Sequence, residues 1–361
     1  MAELPFNFAG PQLDDVLRDP RWFVEDFVLD AKALSFVQTT GRGSLAQEPF
    51  LDYRWDRTKL LRQRVDEAAL VARFASDAPL PPLNFIWHTS FCCSTLIAET
   101  LDAPGRNLSL REPFVLVPLA DAKRAGAFTD YRVSPRLPEV VFRLLARSSG
   151  DGSPVTVKPS NFANTLVLDA ALKTSGKMLF LYSDLASFLT SVSKGRLKLH
   201  KYARQLFANI AGDDGRPLPW SVAQLVRFSD LEIAAIAWHL QIAEFQRGWQ
   251  VLEDGRKASL DCDAFLADPA GTLRALDGFF GFGLGEAHVG QVLNGPLLKR
   301  HAKSPGEAFD ARVRQAANAA VWREMGADIE RIVRWSYEQF PETPRGAPLP
   351  GALVEVQKAY S

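Results

Sequence analysis

The stretch LNFIWHTSFCCSTLIAETLDAPGRNLSLREP, residues 83–113, decides how the rest of the chain is interpreted. It opens with mostly apolar residues, Leu83 to Trp87, which have the length and content of a buried strand. Small and polar residues follow, and apolar residues then recur with the spacing of one helix face until Pro104-Gly105. A strand, a tight loop and a helix direct backbone N–H groups and a helix N-terminus at one point, which favours an anion. We interpret the loop as the phosphate-binding loop of a nucleotide-dependent transferase.

This loop differs from the GxxxxGK[ST] pattern of a Walker A motif, because no Gly and no Lys precede Ser94 and Thr95. Phe91, Cys92 and Cys93 stand where a basic residue and a glycine are usual. Two interpretations therefore stay open on this stretch alone. It is either an anion-binding loop or a strand-to-helix turn with an ordinary Ser/Thr cap.

Composition limits the class of protein. The 361 residues are 47% hydrophobic and 23% charged, and the formal net charge is zero. A chain of this size holds one large or two smaller domains, and a zero net charge argues against a nucleic-acid binder that depends on bulk electrostatics. We see no signal peptide and no membrane span. The 3 cysteines fit neither a disulfide framework nor a zinc site, so we expect a reducing, cytoplasmic location and no metal.

The order of the predicted elements favours an α/β fold. Residues 155–157 and 178–182 are further apolar strands, each followed by a loop and a helix, which gives a parallel sheet wrapped by helices. We predict a P-loop-type three-layer α/β/α domain over residues 81–340, with a tail over 341–361. Residues 1–80 are predicted to form a helical extension, because residues 21–40 and 59–75 carry apolar stripes of helical spacing. The C-terminal addition is predicted to be helical as well.

Several charged residues stand where strands of the predicted sheet end, which is where α/β sheets place their ligands. Glu112 follows the second strand in LREP, Lys158 follows the third, and His88 ends the first. Each also has a simpler interpretation. Glu112 forms a salt bridge with Arg111, Lys158 is a solvated strand end, and His88 bonds to backbone. The basic loop LLKRHAKS is a solvated loop under the same view.

Taken together, these stretches resemble the sulfotransferase family over about residues 83–310. HTSFCCSTL stands at the place of the family's first loop, often PRSGTT, with Phe91 at its basic position. YSDLASFLTS resembles the family's RDPRxxxxS signature, with Ser183 in place of the arginine and Ser191 at the serine. VKPSNFANTL and LDCDAFLADPAGTLRALDGFFGF are similar to two further family segments.

The resemblance implies transfer of a sulfuryl group from 3′-phosphoadenosine-5′-phosphosulfate, as co-substrate, to the hydroxyl or amine of a small-molecule or carbohydrate-like acceptor. It implies that Glu112 is the base, with His88 as its rival and Lys158 balancing charge, and that nearby sulfate and phosphate raise the pKa of Glu112. The residues implied to bind the nucleotide are Ser90, Phe91, Cys92, Cys93, Ser94, Thr95, Ser183, Ser191, Lys299, Arg300 and Lys303.

Two alternatives to a sulfotransferase remain at this point. A binding or scaffold protein that keeps the fold without catalysis is favoured by Phe91 and Ser183, since both replace a basic residue of the family pattern. An ATP-dependent phosphotransferase is the other, although the loop lacks the lysine that such enzymes use. The phosphotransferase predicts stabilisation by ATP with Mg²⁺, whereas the scaffold protein predicts that neither nucleotide stabilises the chain.

Overall fold

Five parallel strands form the central sheet of the computed structural model, which describes residues 13–74, 78–213, 215–301, 304–308 and 311–355. The strands of this sheet are β4 (Leu83–His88), β5 (Leu108–Arg111), β6 (Val155–Lys158), β7 (Met178–Tyr182) and β8 (Lys257–Asp261). Their order across the sheet is β5-β6-β4-β7-β8, so β4 is central. The mixed α/β class and the parallel sheet predicted from the sequence are confirmed.

Both faces of β4 are buried, which explains why its sequence is a continuous apolar run. Phe85 and Trp87 belong to one core cluster, and Ile86, which lies between them, belongs to another. Helices supply the rest of both clusters, so they cover the sheet on each side.

The helices occupy most of the remaining described chain. They are α1 (Leu13–Arg18), α2 (Arg42–Gln47), α3 (Glu67–Arg73), α4 (Ser94–Thr100), α5 (Leu116–Arg124), α6 (Leu137–Ala146), α7 (Val167–Lys173), α8 (Leu185–Lys194), α9 (Arg196–Ile210), α10 (Val222–Leu225), α11 (Asp230–Val251), α12 (Cys262–Ala267), α13 (Pro269–Phe280), α14 (Gly285–Asn294) and α15 (Ala311–Gln339), with 3₁₀ turns at Asn161–Leu166 and Leu297–Lys299. A two-stranded sheet, β9 (Arg300–His301) with β10 (Ser304–Ala308), precedes α15. Among the described helices, none combines the length and the apolar character needed to cross a bilayer.

The N-terminal section is not the helical extension that the sequence predicted. Strands β1 (Trp22–Val28), β2 (Ala33–Gln38) and β3 (Arg62–Asp66) form an antiparallel sheet, and only the short helix α3 follows in the second predicted stripe. The apolar stripe was misleading because β1 is buried on both faces and its register shifts between Val24 and Asp26. Both features remove the simple alternation that identifies a strand.

The segment between α2 and β3 carries several aromatic residues. Phe50 and Trp55 are buried, whereas Tyr53 is exposed. The segment also lies against the end of β5, because the amide of Leu51 donates to the carbonyl of Arg111 at 2.7 Å and the amide of Phe114 donates to the carbonyl of Leu51 at 3.0 Å. The N-terminal section thus reaches the carboxyl edge of the parallel sheet.

Candidate functional site

The loop after β4 has an unusual backbone. Ser90, Phe91 and Cys93 have φ angles of 75°, 54° and 57°, in the left-handed region that side chains other than glycine rarely adopt. Each such residue costs on the order of 1–3 kcal/mol, so surrounding contacts must hold the loop in this shape. Turns of this kind make concave sets of amides that bind anions, and α4 begins directly after Cys93 without a side-chain cap.

Three buried hydroxyls beside this loop have no hydrogen-bond partner within the described chain. They belong to Thr89 at the end of β4, Thr95 in the first turn of α4 and Ser183 at the end of β7, each at most 2% exposed. The ends of β4 and β7 are neighbours, and the amide of Thr89 donates to the carbonyl of Leu181 at 3.2 Å. An unpaired buried hydroxyl costs roughly 1–3 kcal/mol, so this cluster is chemically unsatisfied.

His88, the rival base, uses both ring nitrogens on neighbouring groups. Its Nδ1 accepts from the amide of Ser90 at 3.1 Å, so the ring proton is on Nε2, which donates to the carbonyl of Pro159 at 2.9 Å. The alternative interpretation, that His88 bonds to backbone, therefore describes its position. His88 fixes the first turn of the loop, and the amide of Ser90 faces its ring.

The Ser90 side chain belongs to a buried polar network. Its hydroxyl lies 2.8 Å from that of Tyr202, which itself donates to Asn161 Oδ1 at 2.7 Å. Since Tyr202 has one proton, Ser90 is the donor between the two hydroxyls. Asn161 Nδ2 in turn donates to Gln241 Oε1 at 3.1 Å. Burial is the main cause that raises the pKa of Tyr202, so its phenol stays neutral.

Phe91, the residue of the loop at which the sequence led us to expect no cation, packs among aromatic rings. Its ring centroid lies 5.5 Å from that of Phe188 and 5.8 Å from that of Tyr202. The loop therefore carries no charge at this position, and a cation for an anionic ligand has to come from elsewhere.

An ion cluster at the ends of β5 and β6 supplies such cations. Lys158 Nζ donates to Glu112 Oε1 at 2.5 Å, and Arg54 Nη2 donates to Glu112 Oε2 at 2.7 Å. Lys158 is fully buried, which corrects the alternative that it is a solvated strand end. Glu112 has a φ of 55°, and its amide donates to the carbonyl of Lys158 at 2.7 Å. The cluster adjoins the loop because His88 contacts Pro159, the residue after Lys158.

The pKa of Glu112 is lowered to about 2 in this cluster. Burial, the largest single influence, acts to raise the pKa, but the charge and hydrogen bond of Lys158 together with His88 and Arg54 outweigh it. The carboxylate is thus ionised and held by cations at neutral pH. The sequence had led us to expect a raised pKa when sulfate or phosphate is near.

Arg111 is not the partner of Glu112 that the simpler interpretation proposed. Its guanidinium donates to the carbonyls of Ala46, at 2.7 Å, of Glu48, and of Pro49, at 3.3 Å. Arg111 therefore fastens the segment after α2 to the end of β5. Arg54, which does pair with Glu112, was missed because it lies in an irregular stretch without a motif.

Two of the cysteines, Cys92 and Cys262, are packed in the protein interior. Cys92 is fully buried and its Sγ lies 3.7 Å from the carbonyl of Leu181. Hydrogen bonding with Cys93, followed by burial, raises the pKa of the Cys262 thiol. Asp261 and Asp263 flank Cys262 with ligand atoms within 4.8 Å of one another, but Asp261 Oδ1 already accepts from the amide of Asp263 and caps α12.

The structure describes only some of the other residues that were predicted to bind the nucleotide. Ser94 is buried in the first turn of α4, beside Thr95, and Ser191 is half-buried on α8, whose N-terminus is capped by Asp184. The side chains of Lys299 and Arg300, and all of Lys303, lie outside the described residues. Ser183 is thus buried directly after β7, and Ser191 lies half-buried on the helix that follows.

A cavity of about 670 Å³ lies at the opposite, amino-terminal edge of the sheet. Asn84, Arg147 and Lys177 are among the residues that line it. It is therefore separate from the loop, and the unsatisfied hydroxyls identify the candidate site better than cavity size does.

Comparisons with known proteins give a limited likeness. No family model and no curated protein matches the chain. Among solved structures, the chain is similar to the sulfotransferase domain from the curacin biosynthetic pathway, with 13% identity and a TM-score of 0.46 over 73% of this chain and 99% of that one. It is also similar to the sulfotransferase domain of the Synechococcus PCC 7002 olefin synthase, with 15% identity and a TM-score of 0.44 over 73% and 96% of the two chains.

A sulfotransferase from Mycobacterium avium is similar at 13% identity, with a TM-score of 0.38 over 69% of this chain and 78% of that one. Every one of these TM-scores lies below 0.5, so the likeness carries no weight for the activity of this chain. The activity of this chain therefore has to be inferred from the contacts of the site.

Proposed function

We propose that this chain is a sulfotransferase-like enzyme that moves a sulfuryl group from 3′-phosphoadenosine-5′-phosphosulfate to a hydroxyl or amine acceptor. The observation that carries the proposal is the strained loop after β4 together with the unpartnered buried hydroxyls of Thr89, Thr95 and Ser183. Hydroxyl donors of this kind suit the oxygen atoms of a phosphosulfate, and the motif resemblances of the sequence point to the same ligand.

In this proposal each residue has one task. Thr95 and Ser183 donate hydrogen bonds to the oxygens of the phosphosulfate, and Lys158 offsets part of its charge. Glu112 accepts the proton of the acceptor hydroxyl as the new S–O bond forms and the S–O bond to the nucleotide phosphate breaks. The electron pair of the broken bond leaves with that phosphate.

A ligand panel measured by thermal unfolding tests the proposal. We expect 3′-phosphoadenosine-5′-phosphate to raise Tm, since a ligand at about 100 times its Kd stabilises a protein by about 2.7 kcal/mol. ATP with Mg²⁺ and plain sulfate are the comparison ligands. A shift with ATP and Mg²⁺ alone would instead identify a phosphotransferase.

A binding or scaffold protein without catalysis is the second candidate. The position of Phe91 among aromatic rings favours it, because the loop lacks the cation that the sulfotransferase pattern resembled by the sequence has at this position. The absence of any shift with either nucleotide at high concentration is the result that this candidate predicts.

Replacing Thr95 by valine tests the role of the unpartnered hydroxyls. We expect Thr95→Val to weaken binding of 3′-phosphoadenosine-5′-phosphate roughly tenfold, because a hydrogen bond to a charged group is lost. The free energy of unfolding should not fall, since this hydroxyl has no partner in the described chain. Calorimetric titration and urea unfolding measure the two quantities.

Thr100→Val is the matched control on the same helix. Thr100 is also buried, but its hydroxyl donates to the carbonyl of Ile97 at 2.7 Å. Its loss should lower stability by about 1 kcal/mol and leave nucleotide affinity unchanged. Equal nucleotide affinities for the two variants would contradict the assigned role of Thr95.

A further inference from the structure

Arg54 connects the N-terminal section to the candidate site. It lies between α2 and β3, and its guanidinium stacks on the ring of Phe50 with 3.4 Å from Cζ to the ring centroid. Nε and Nη2 also donate to both carboxylate oxygens of Asp52, at 2.9 and 2.6 Å. Its side chain is 39% exposed. Arg54 is therefore the cation of the cluster that solvent and ligands can reach.

Glu112 is fully engaged in this arrangement. One oxygen accepts from Lys158 and the other from Arg54. Both oxygens are therefore occupied by ion pairs when an acceptor hydroxyl has to give up its proton. Lys158 is fully buried, and moving it away from Glu112 would leave a charge in the core. Arg54 can leave at lower cost, because it keeps Asp52 as a partner and is in contact with water.

A phosphosulfate competes well for such a guanidinium. It carries more negative charge than one carboxylate, and the planar fork of arginine binds oxyanions through two parallel hydrogen bonds. Phe91 places no charge in the loop at its position, so the arginine and the lysine beside Glu112 are candidate cations for an anion bound here.

We propose that Arg54 is a positioning residue that holds Glu112 in an ion pair in the free protein and moves onto the anionic donor when the donor binds. Donor binding thereby releases Oε2 of Glu112 to accept the proton of the acceptor hydroxyl. The inference rests on the proposed function and adds how the base is controlled. It also explains why a strongly paired carboxylate occupies the position of a base.

The groups that face Glu112 determine the sign of the expected change. Lys158 from β6, His88 from β4 and Arg54 lower its pKa to about 2, against the effect of burial. Asp52, bound to Arg54, and Tyr202 on α9 complete the surroundings. Withdrawal of Arg54 removes one lowering influence and the bound anion adds a raising one, so the pKa of Glu112 rises on binding.

Carbon-13 NMR of glutamate-labelled protein tests the inference, with 3′-phosphoadenosine-5′-phosphate as the probe and Glu112→Gln to assign the signal. In the wild type we expect the probe to raise the pKa of Glu112 by about one pH unit. In Arg54→Gln the pKa should already be higher without the probe, the further rise should be smaller, and probe affinity should fall roughly tenfold. Arg54→Lys should restore part of the affinity.

Arg57→Gln is the matched control, because Arg57 lies in the same segment but pairs with Glu25 at 3.1 Å. It should behave like the wild type in all three measurements. If the probe binds but the pKa of Glu112 does not move and Arg54→Gln binds normally, the inference fails while the proposed function stands. If the probe does not bind the wild type, both the proposed function and the inference that rests on it fail.

Discussion

Glu112→Gln is expected to lower the rate of sulfuryl transfer by a factor of about 10² to 10⁴, which is what a positioned general base contributes. Glutamine keeps the size of the side chain and an oxygen that accepts from Lys158, but it cannot take a proton from the acceptor. Transfer from 3′-phosphoadenosine-5′-phosphosulfate to a panel of hydroxyl and amine acceptors measures the rate. We expect the loss in kcat and not in nucleotide affinity.

Binding of 3′-phosphoadenosine-5′-phosphate to the same variant is the control. The nucleotide should still raise Tm, since Thr95 and Ser183 are unchanged. A variant that transfers sulfuryl groups at the wild-type rate would remove Glu112 as the base. His88 would not replace it directly, because its Nδ1 accepts from Ser90 and its Nε2 faces Pro159.

Glu112→Ala is expected to lower the free energy of unfolding by about 3–5 kcal/mol, because removing one partner of a buried ion pair is strongly destabilising. Lys158 is fully buried and bonds to Glu112 Oε1 at 2.5 Å. The double variant Glu112→Ala/Lys158→Met should recover most of this loss, since no buried charge remains. Urea unfolding of the wild type and the variants measures each value.

The exposed pair of Arg274 and Glu286, 2.6 Å apart, provides the comparison. Glu286→Ala should cost much less stability than Glu112→Ala, because solvent screens an exposed ion pair. A similar loss at both sites would show that burial of Lys158 does not set the effect.

The buried pair of Glu112 and Lys158 also makes stability depend on pH. The pKa of Glu112 is lowered from 4.5 to about 2 in the folded protein. The stabilisation is therefore complete above pH 4.5 and is lost as the pH falls through 2, because the unfolded chain takes up the proton first. In Glu112→Gln this contribution should be absent from the acid limb of the stability curve.

The parallel sheet was predictable because its strands are unbroken apolar runs. Leu83–His88 and Met178–Tyr182 are buried along their whole length, and a capped helix follows the second of them at Asp184. The first sheet was not predictable in the same way. β1 has both faces covered and a shift in register, so its apolar residues imitate a helical stripe.

The candidate site was predictable where its residues follow strands, and not where they depend on long-range contacts. Glu112 and Lys158 end neighbouring strands, and they do meet. The partner on the other side of Glu112 is Arg54, 58 positions away in a segment without regular structure. Likewise, nothing in the local sequence indicates that Tyr202 of α9 forms a hydrogen bond with the hydroxyl of Ser90.

The anchoring of Arg111 and Arg54 across the two sheets has a practical consequence for protein engineering. A fragment that begins at Leu83 would contain every strand of the parallel sheet, yet it would lose the carbonyls that hold Arg111 and the guanidinium that holds Glu112. Grafting this module onto another scaffold, or trimming it for expression, must therefore retain residues 46–54. A shortened version would be expected to fold poorly, because Arg111 would lose the carbonyls that it binds in the N-terminal section and Glu112 would lose one of its two cationic partners.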